Sequence, residues 1–70
     1  MWHARGGAIL RWALRASRLQ RRWTQKQAAQ ALGISRSFYS MIETSQRNPN
    51  LRLARRISDL FHLDLETLFF

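Results

Sequence analysis

The sequence lacks cysteine, and this absence excludes two ways of bracing a small protein. Neither a disulfide framework nor a cysteine-based zinc site can form, so stability has to come from packing within the chain or against a partner. A chain of 70 residues has room for one small domain and not for a second core. The two histidines, His3 and His62, lie far apart in the sequence, so we expect no metal site.

Acidic residues are also scarce, and the first of the four is Glu43. Four acids, two distant histidines, no cysteine and no glycine-rich phosphate loop leave no arrangement suited to catalysis. We therefore expect the protein not to be an enzyme and to need no cofactor.

Long apolar runs are missing too. None approaches the roughly 18 residues that a membrane-spanning helix needs, and Arg5, Arg11 and Arg15 interrupt any signal-like apolar segment. We expect a cytoplasmic protein that does not act at a membrane. A cationic amphipathic binder of membranes or RNA is disfavoured, because the helices described below are short, capped and separated by turns, and because acidic residues follow residue 42.

Positive charge is abundant and one-sided. The formal net charge is +8; residues 1–42 hold eight basic residues and no acid, whereas residues 43–70 hold four of each. This distribution is typical of a protein that binds a polyanion such as DNA. The alternative, that the surplus arginine only solvates the surface, stays open at this point.

The most informative stretch runs from Thr24 to Glu43 and predicts two short helices. Thr24 and Gln27 fit the capping box that begins a helix, and Gly33 fits the position that ends one. Ser35 is a good N-cap for a second helix directly afterwards. So short a connection predicts a helix-turn-helix. Its inward face is formed by Ala28, Ala29, Leu32, Ile34, Tyr39 and Ile42.

At these residues the chain resembles the lambda-repressor-like, or XRE, family of helix-turn-helix regulators. The resemblance extends from about Leu10 to Phe69 and is carried by Thr24-Gln25, Ala29, Gly33-Ile34-Ser35, Ile42-Glu43 and Asn48-Pro49. It implies a compact all-α domain of five helices over residues 8–70, following a flexible arm over residues 1–7. It also implies that the third helix enters the DNA major groove and that Arg18 forms a structural ion pair with Glu43.

The remaining helices follow from caps and apolar spacing. We predict a first helix from Ala8 to Arg21, a fourth from Leu51 to Phe61 after the N-cap Asn50, and a short fifth from Leu65 to Leu68. Trp23 is expected to pack at the start of the second helix.

Two residues stand where relatives commonly have glycine. Ser45 in a left-handed conformation would cost about 1 kcal/mol, so we expect the loop after the third helix to take another path. His62 is among the residues that tolerate this conformation better.

The outward face of the third helix predicts the DNA-reading residues. Arg36 at its start can pair with guanine O6 and N7, although a plain phosphate contact is the alternative. The full set of expected base contacts is Arg36, Ser37, Phe38, Ser40 and Met41. Phe38 and Met41 could instead pack over the edge of the domain.

Phosphate contacts are expected around the start of the second helix and in the loop after the third. This set is Arg22, Gln25, Lys26, Arg47 and Asn48. For Gln25 the resemblance leaves a second role open, which is to support a residue of the third helix.

The expected function is sequence-specific transcription regulation, as a repressor or controller that binds a two-fold operator in double-stranded DNA as a homodimer. An apolar C-terminal patch of Leu65, Leu68, Phe69 and Phe70 is the expected dimer interface, with Trp12 and Leu19 as the alternative surface. The competing hypothesis is an antitoxin or another protein-interaction module that uses the same fold to bind a toxin or other protein.

Overall fold

The computed structural model describes residues 11–69, with the backbone alone for Thr67 and Phe69. Within this range the chain forms four helices of 8 to 11 residues and then a short helix of 5 residues. They are α1 (Trp12–Gln20), α2 (Gln25–Leu32), α3 (Arg36–Glu43), α4 (Leu51–Phe61) and α5 (Leu65–Phe69). The all-α prediction is confirmed. The predicted arm over residues 1–7, Leu10 and Phe70 lie outside the described residues.

The helix starts are fixed by side-chain caps, as the sequence predicts. The Thr24 hydroxyl accepts from the Gln27 backbone N–H at 3.1 Å, and the Gln27 side chain accepts from the Thr24 N–H at 2.8 Å, which completes the capping box. Ser35 accepts from Phe38 N–H and Asn50 from Leu53 N–H in the same way. Each cap satisfies a backbone donor that would otherwise lack a partner.

The predicted first helix begins too early. Arg11 has non-helical backbone angles, φ −83° and ψ 88°, and serves as the N-cap, so α1 begins at Trp12 rather than Ala8. The Arg11 N–H donates to the Glu43 carbonyl at 2.7 Å. This long-range bond turns the backbone away from the helical path, and the apolar spacing of the sequence gives no sign of it.

Left-handed backbone occurs at Gly33 (φ 73°) and at Arg22, Ser45 and His62 (φ 58° to 61°). The expectation that the Ser45 loop takes another path is wrong. The turn closes three hydrogen bonds on the end of α3: Ser45 N–H donates to the Ile42 carbonyl, and the next two N–H groups donate to the Met41 carbonyl. These bonds offset a steric cost of about 1 to 2 kcal/mol.

The core forms where the inner faces of the helices meet. Its buried side chains are Leu14, Ala28, Ala29, Leu32, Tyr39, Ile42, Leu53, Ile57, Phe61 and Leu68. α1 packs against α3, α4 and α5, while α2 packs against α3 and α4. The helix-turn-helix is therefore held from behind by the rest of the domain.

Trp23 packs near the start of α2, as expected, and its main aromatic partner lies on α4. The rings of Trp23 and Phe61 meet edge to face with centroids 6.0 Å apart. The Arg21 guanidinium lies 5.3 Å and 5.0 Å from these two ring centroids and donates to the Leu60 carbonyl. Arg21 thus fastens the end of α1 to α4.

None of the helices in residues 11–69 has the length and apolar character needed to cross a membrane.

Candidate nucleic-acid interface

The exposed side of α3 is set by what the helix buries. Tyr39, Ile42 and Glu43 are buried, which turns Ser37 outward. Arg36 is exposed at the start of the helix. Ser40 and Met41 are half-buried beside them. The predicted base-contact residues all lie on the first two turns of α3, and Phe38 alone among them packs against the core.

Phe38 is half-buried and packs against the core. Of the two roles that the sequence leaves open for it, the structure favours packing at the edge of the domain.

The starts of α2 and α3 lie side by side. The Arg36 guanidinium reaches the side-chain carbonyl of Gln25 at 3.5 Å, the long end of a hydrogen bond, and the Gln25 amide donates to Glu43 at 3.1 Å. Gln25 therefore supports two residues of α3, which is the second of its two expected roles. The contact places the N-terminal turn of α2 next to the first residue of α3.

Glu43 is the centre of a buried polar network behind the exposed face. It is 2% exposed, and its carboxylate accepts from Arg18 Nε at 2.6 Å, from Arg18 Nη2 at 3.3 Å and from the Tyr39 hydroxyl at 2.7 Å, in addition to Gln25. The structure thus brings Arg18 and Glu43 together as the resemblance implies. Arg18 also donates to the Trp23 carbonyl at 2.9 Å, which ties α1 to the start of α2.

The network keeps Glu43 ionised despite its burial. Burial alone would raise the pKa of Glu43, but the hydrogen bonds from Arg18, Tyr39 and Gln25 outweigh burial and hold the pKa below its ordinary value. The bond to Glu43 raises the pKa of Arg18. Burial, followed by the bond to the carboxylate, raises the pKa of Tyr39 far above its ordinary value. An ionised pair and a neutral phenol therefore fix α1 against α3.

Four of the predicted phosphate-contact residues are exposed, and three of them are the cations Arg22, Lys26 and Arg47. Asn48 is also exposed, but its side-chain oxygen accepts from Arg11 Nη2 at 2.5 Å. This bond holds the loop to Arg11, and the phosphate contact expected of Asn48 stays a prediction.

Arg11 is a site residue that the sequence pattern does not reveal. Its guanidinium donates to the Ile42 carbonyl, to the Leu68 carbonyl at 2.8 Å and to the Arg47 carbonyl at 3.4 Å. These acceptors are 31 to 57 positions away in the sequence, so no local pattern could have revealed them.

The comparisons with known proteins agree with this geometry. Residues 14–68 match the family described as Helix-turn-helix. The chain belongs to this helix-turn-helix family. It is 34% identical over 62 residues, 89% of this chain and 80% of the relative, to an uncharacterised protein named HTH-type transcriptional regulator YqaF of Bacillus subtilis. It is 33% identical over 60 residues, 86% of each chain, to an uncharacterised HTH-type transcriptional regulator of Archaeoglobus fulgidus. No solved structure gives a significant match.

Membership of the helix-turn-helix family confirms the resemblance to the XRE type and the expectation that the protein is not an enzyme, because this is a family of DNA-binding regulators. Among the described residues, no three metal-ligating side chains cluster where they could hold an ion.

The predicted dimer patch of this helix-turn-helix domain needs a correction. Leu68 is 3% exposed and belongs to the core of its own chain, because α5 folds back onto α1. Leu65 is half-buried, while Phe70 and the side chain of Phe69 lie outside the described residues. On α1, Trp12 and Leu19 are 64% and 48% exposed.

Proposed function

We propose that this helix-turn-helix protein is a sequence-specific transcription regulator that inserts the first turns of α3 into the major groove of double-stranded DNA. The contact between Arg36 and Gln25 carries the proposal, because it joins the start of α3 to the start of α2. A base-reading element and a phosphate-binding helix end then meet the same stretch of duplex. The names of the two relatives support this role.

Within this proposal the exposed residues divide by chemistry. Arg36 pairs bidentately with a guanine, while Ser37, Ser40 and Met41 contact neighbouring base edges. The exposed cations Arg22, Lys26 and Arg47 neutralise phosphates and supply salt-dependent affinity without sequence information. Gln25 orients Arg36, and its part-buried contact to Glu43 limits how far it can turn toward the DNA backbone.

The test begins with selection of bound duplexes from a random pool, followed by titrations on the selected duplex and on a nonspecific one. Arg36→Ala should cost about 1 to 3 kcal/mol on the selected duplex and little on the other. Lys26→Ala should weaken binding to both duplexes alike. It should also reduce the salt slope by roughly 0.9 for the lost phosphate contact.

A matched control for charge is Arg56→Ala. Arg56 is exposed on α4 and lies near Ala31 and Leu32 at the far end of α2 from the proposed contact. This variant should leave both titrations close to wild type. Equal losses on the two duplexes for Arg36→Ala would assign Arg36 to the backbone, and a pool that yields no bound duplex would favour a protein-interaction module instead.

We further propose that the regulator binds as a homodimer to a two-fold operator. One half-site read by an 8-residue helix gives limited affinity, and two copies would place their α3 helices about 34 Å apart, one turn of B-DNA. We place the contact at the C-terminal end, around Leu65 and the residues after Leu68. Sedimentation of the free and DNA-bound protein tests this proposal.

A further inference from the structure

The Arg11 side chain joins three parts of the fold that are distant in sequence. Its Nε donates to the Leu68 carbonyl on α5, its Nη1 to the Ile42 carbonyl on α3, and its Nη2 to the Asn48 side chain in the loop between α3 and α4. The Arg11 backbone N–H adds a bond to the Glu43 carbonyl. A planar guanidinium can hold several acceptors in fixed directions, which a lysine ammonium cannot do.

Arg11 supplies the positive charge that α3 lacks at its C-terminal end. The last four carbonyls of a helix have no partner within the helix, and the negative end of the helix dipole favours a nearby cation. The last turn of α3 contains no basic residue. Arg11, the N-cap residue of α1, therefore places a positive charge and two donors on the last two carbonyls of α3.

The same side chain also fixes the loop that follows α3. Its bond to Asn48 and the longer bond to the Arg47 carbonyl hold this segment between α3 and α4. Arg47 itself keeps an exposed side chain, which the proposed function assigns to a phosphate. The position of that contact relative to α3 thus depends on a residue that precedes α1.

We propose that Arg11 is a positioning residue for DNA binding, which fixes the C-terminal end of α3 and the Arg47–Asn48 segment in the arrangement that fits the duplex. This inference rests on the proposed function. Arg11 acts through the backbone and through Asn48, and it is not itself assigned a DNA contact.

The experiment compares Arg11→Ala, Arg11→Lys and the control Arg15→Ala in two measurements. Arg15 is the next arginine of the chain, and its described side-chain contact is with the Trp12 ring at 6.0 Å. Arg15→Ala therefore removes one positive charge, as Arg11→Ala does, but leaves the hydrogen bonds to the carbonyls of α3 and α5 in place. Amide hydrogen exchange of Ser45, Gln46 and Arg47 reports how firmly the loop is held. Titration with the selected duplex reports binding.

Both Arg11 variants should speed exchange at these amides about tenfold and weaken duplex binding about tenfold, whereas Arg15→Ala should do neither. The lysine variant is decisive, because a lysine would preserve a simple phosphate contact but not the fork of hydrogen bonds. Wild-type binding by Arg11→Lys beside weak binding by Arg11→Ala would overturn the proposal. Unchanged exchange in both variants would overturn it as well.

Asn48→Ala keeps the test informative if Arg11→Ala does not fold. It removes one arm of the fork and leaves the carbonyl contacts, so a smaller rise in exchange at Arg47 is expected, and no rise would count against the proposal. Failure of the wild-type protein to bind any duplex would reject the proposed function and, with it, the role of Arg11 in DNA binding. Unchanged exchange beside normal wild-type binding would instead reject the role of Arg11 alone.

Discussion

At the scale of single residues, Glu43 shows how a buried charge is made tolerable in a domain of this size. An isolated carboxylate in the interior would be costly, but four hydrogen bonds from Arg18, Tyr39 and Gln25 reach it. Tyr39 fills the core with its ring and gives its hydroxyl to the carboxylate. One position of α3 therefore serves both packing and charge.

Tyr39→Phe removes one donor from the carboxylate and should cost about 1.5 to 3 kcal/mol of unfolding free energy near neutral pH. The pKa of Glu43 is lowered in the folded state, so the stability it contributes is present above its ordinary pKa of 4.5 and is lost as pH falls through the lowered value. The difference in unfolding free energy between wild type and Tyr39→Phe should accordingly shrink in acid. Urea unfolding across this pH range measures it.

Glu43→Gln provides the reference background for this comparison. In the Glu43→Gln background Tyr39→Phe should lower the unfolding free energy by less at neutral pH. The loss should also not depend on acid pH, because position 43 no longer carries a carboxylate that can be protonated. A Tyr39→Phe cost that is the same in both backgrounds would mean that the hydroxyl does not stabilise the charge.

At the scale of elements, the helices are short, so the residues at their ends largely determine where each helix begins and ends. Side-chain caps begin α2, α3 and α4, and left-handed residues follow α1, α2, α3 and α4. Only one of those four left-handed positions is glycine. The other three retain a local steric cost that the surrounding packing outweighs.

Ser45→Gly should relieve this cost at the end of α3 and raise the free energy of unfolding by up to about 1 kcal/mol, since glycine adopts positive φ freely. The gain is limited by the greater freedom of glycine in the unfolded chain. Thermal unfolding measures the difference. Ser37→Gly, at an exposed helical position of α3, is the matched control and should lower stability by roughly 0.5 kcal/mol.

At the scale of the whole molecule, the parts of the fold that could be predicted are those determined by local chemistry. The caps at Thr24, Ser35 and Asn50 fixed the starts of α2, α3 and α4, because each depends on residues three positions apart. The start of α1 and the burial of Leu68 could not be predicted in this way. Both depend on α3 and α5 meeting α1, which only the assembled fold brings about.

In the candidate interface, too, local features could be predicted and long-range contacts could not. The outward direction of Ser37 follows from helical spacing, and the structure places it accordingly. Arg36 shares a side of α3 with the buried Glu43 and is exposed at the start of the helix. The attachment of Asn48 to Arg11 depends on residues 37 positions apart and left no trace in the sequence pattern.

The proposed homodimer predicts that sedimentation detects a dimer on DNA, and that deleting Phe69 and Phe70 weakens it. Leu68 should be left intact in this design, because its side chain fills the core. The combined variant Trp12→Ala and Leu19→Ala removes the exposed apolar side chains of α1 and serves as the comparison. Loss of the dimer in that variant alone would move the interface to α1, and a monomer throughout would reject the homodimer.

The reach of Arg11 also has a consequence for the order in which the domain folds. Its bond to Leu68 joins residues 57 positions apart, so it cannot form until nearly the whole described chain has been synthesised. α2, α3 and their caps depend on near neighbours and can form earlier. During synthesis α2 and α3 would therefore form before the last turn of α3 is attached to α1 and α5. The arrangement that we propose fits DNA would be completed late, when α5 packs onto α1.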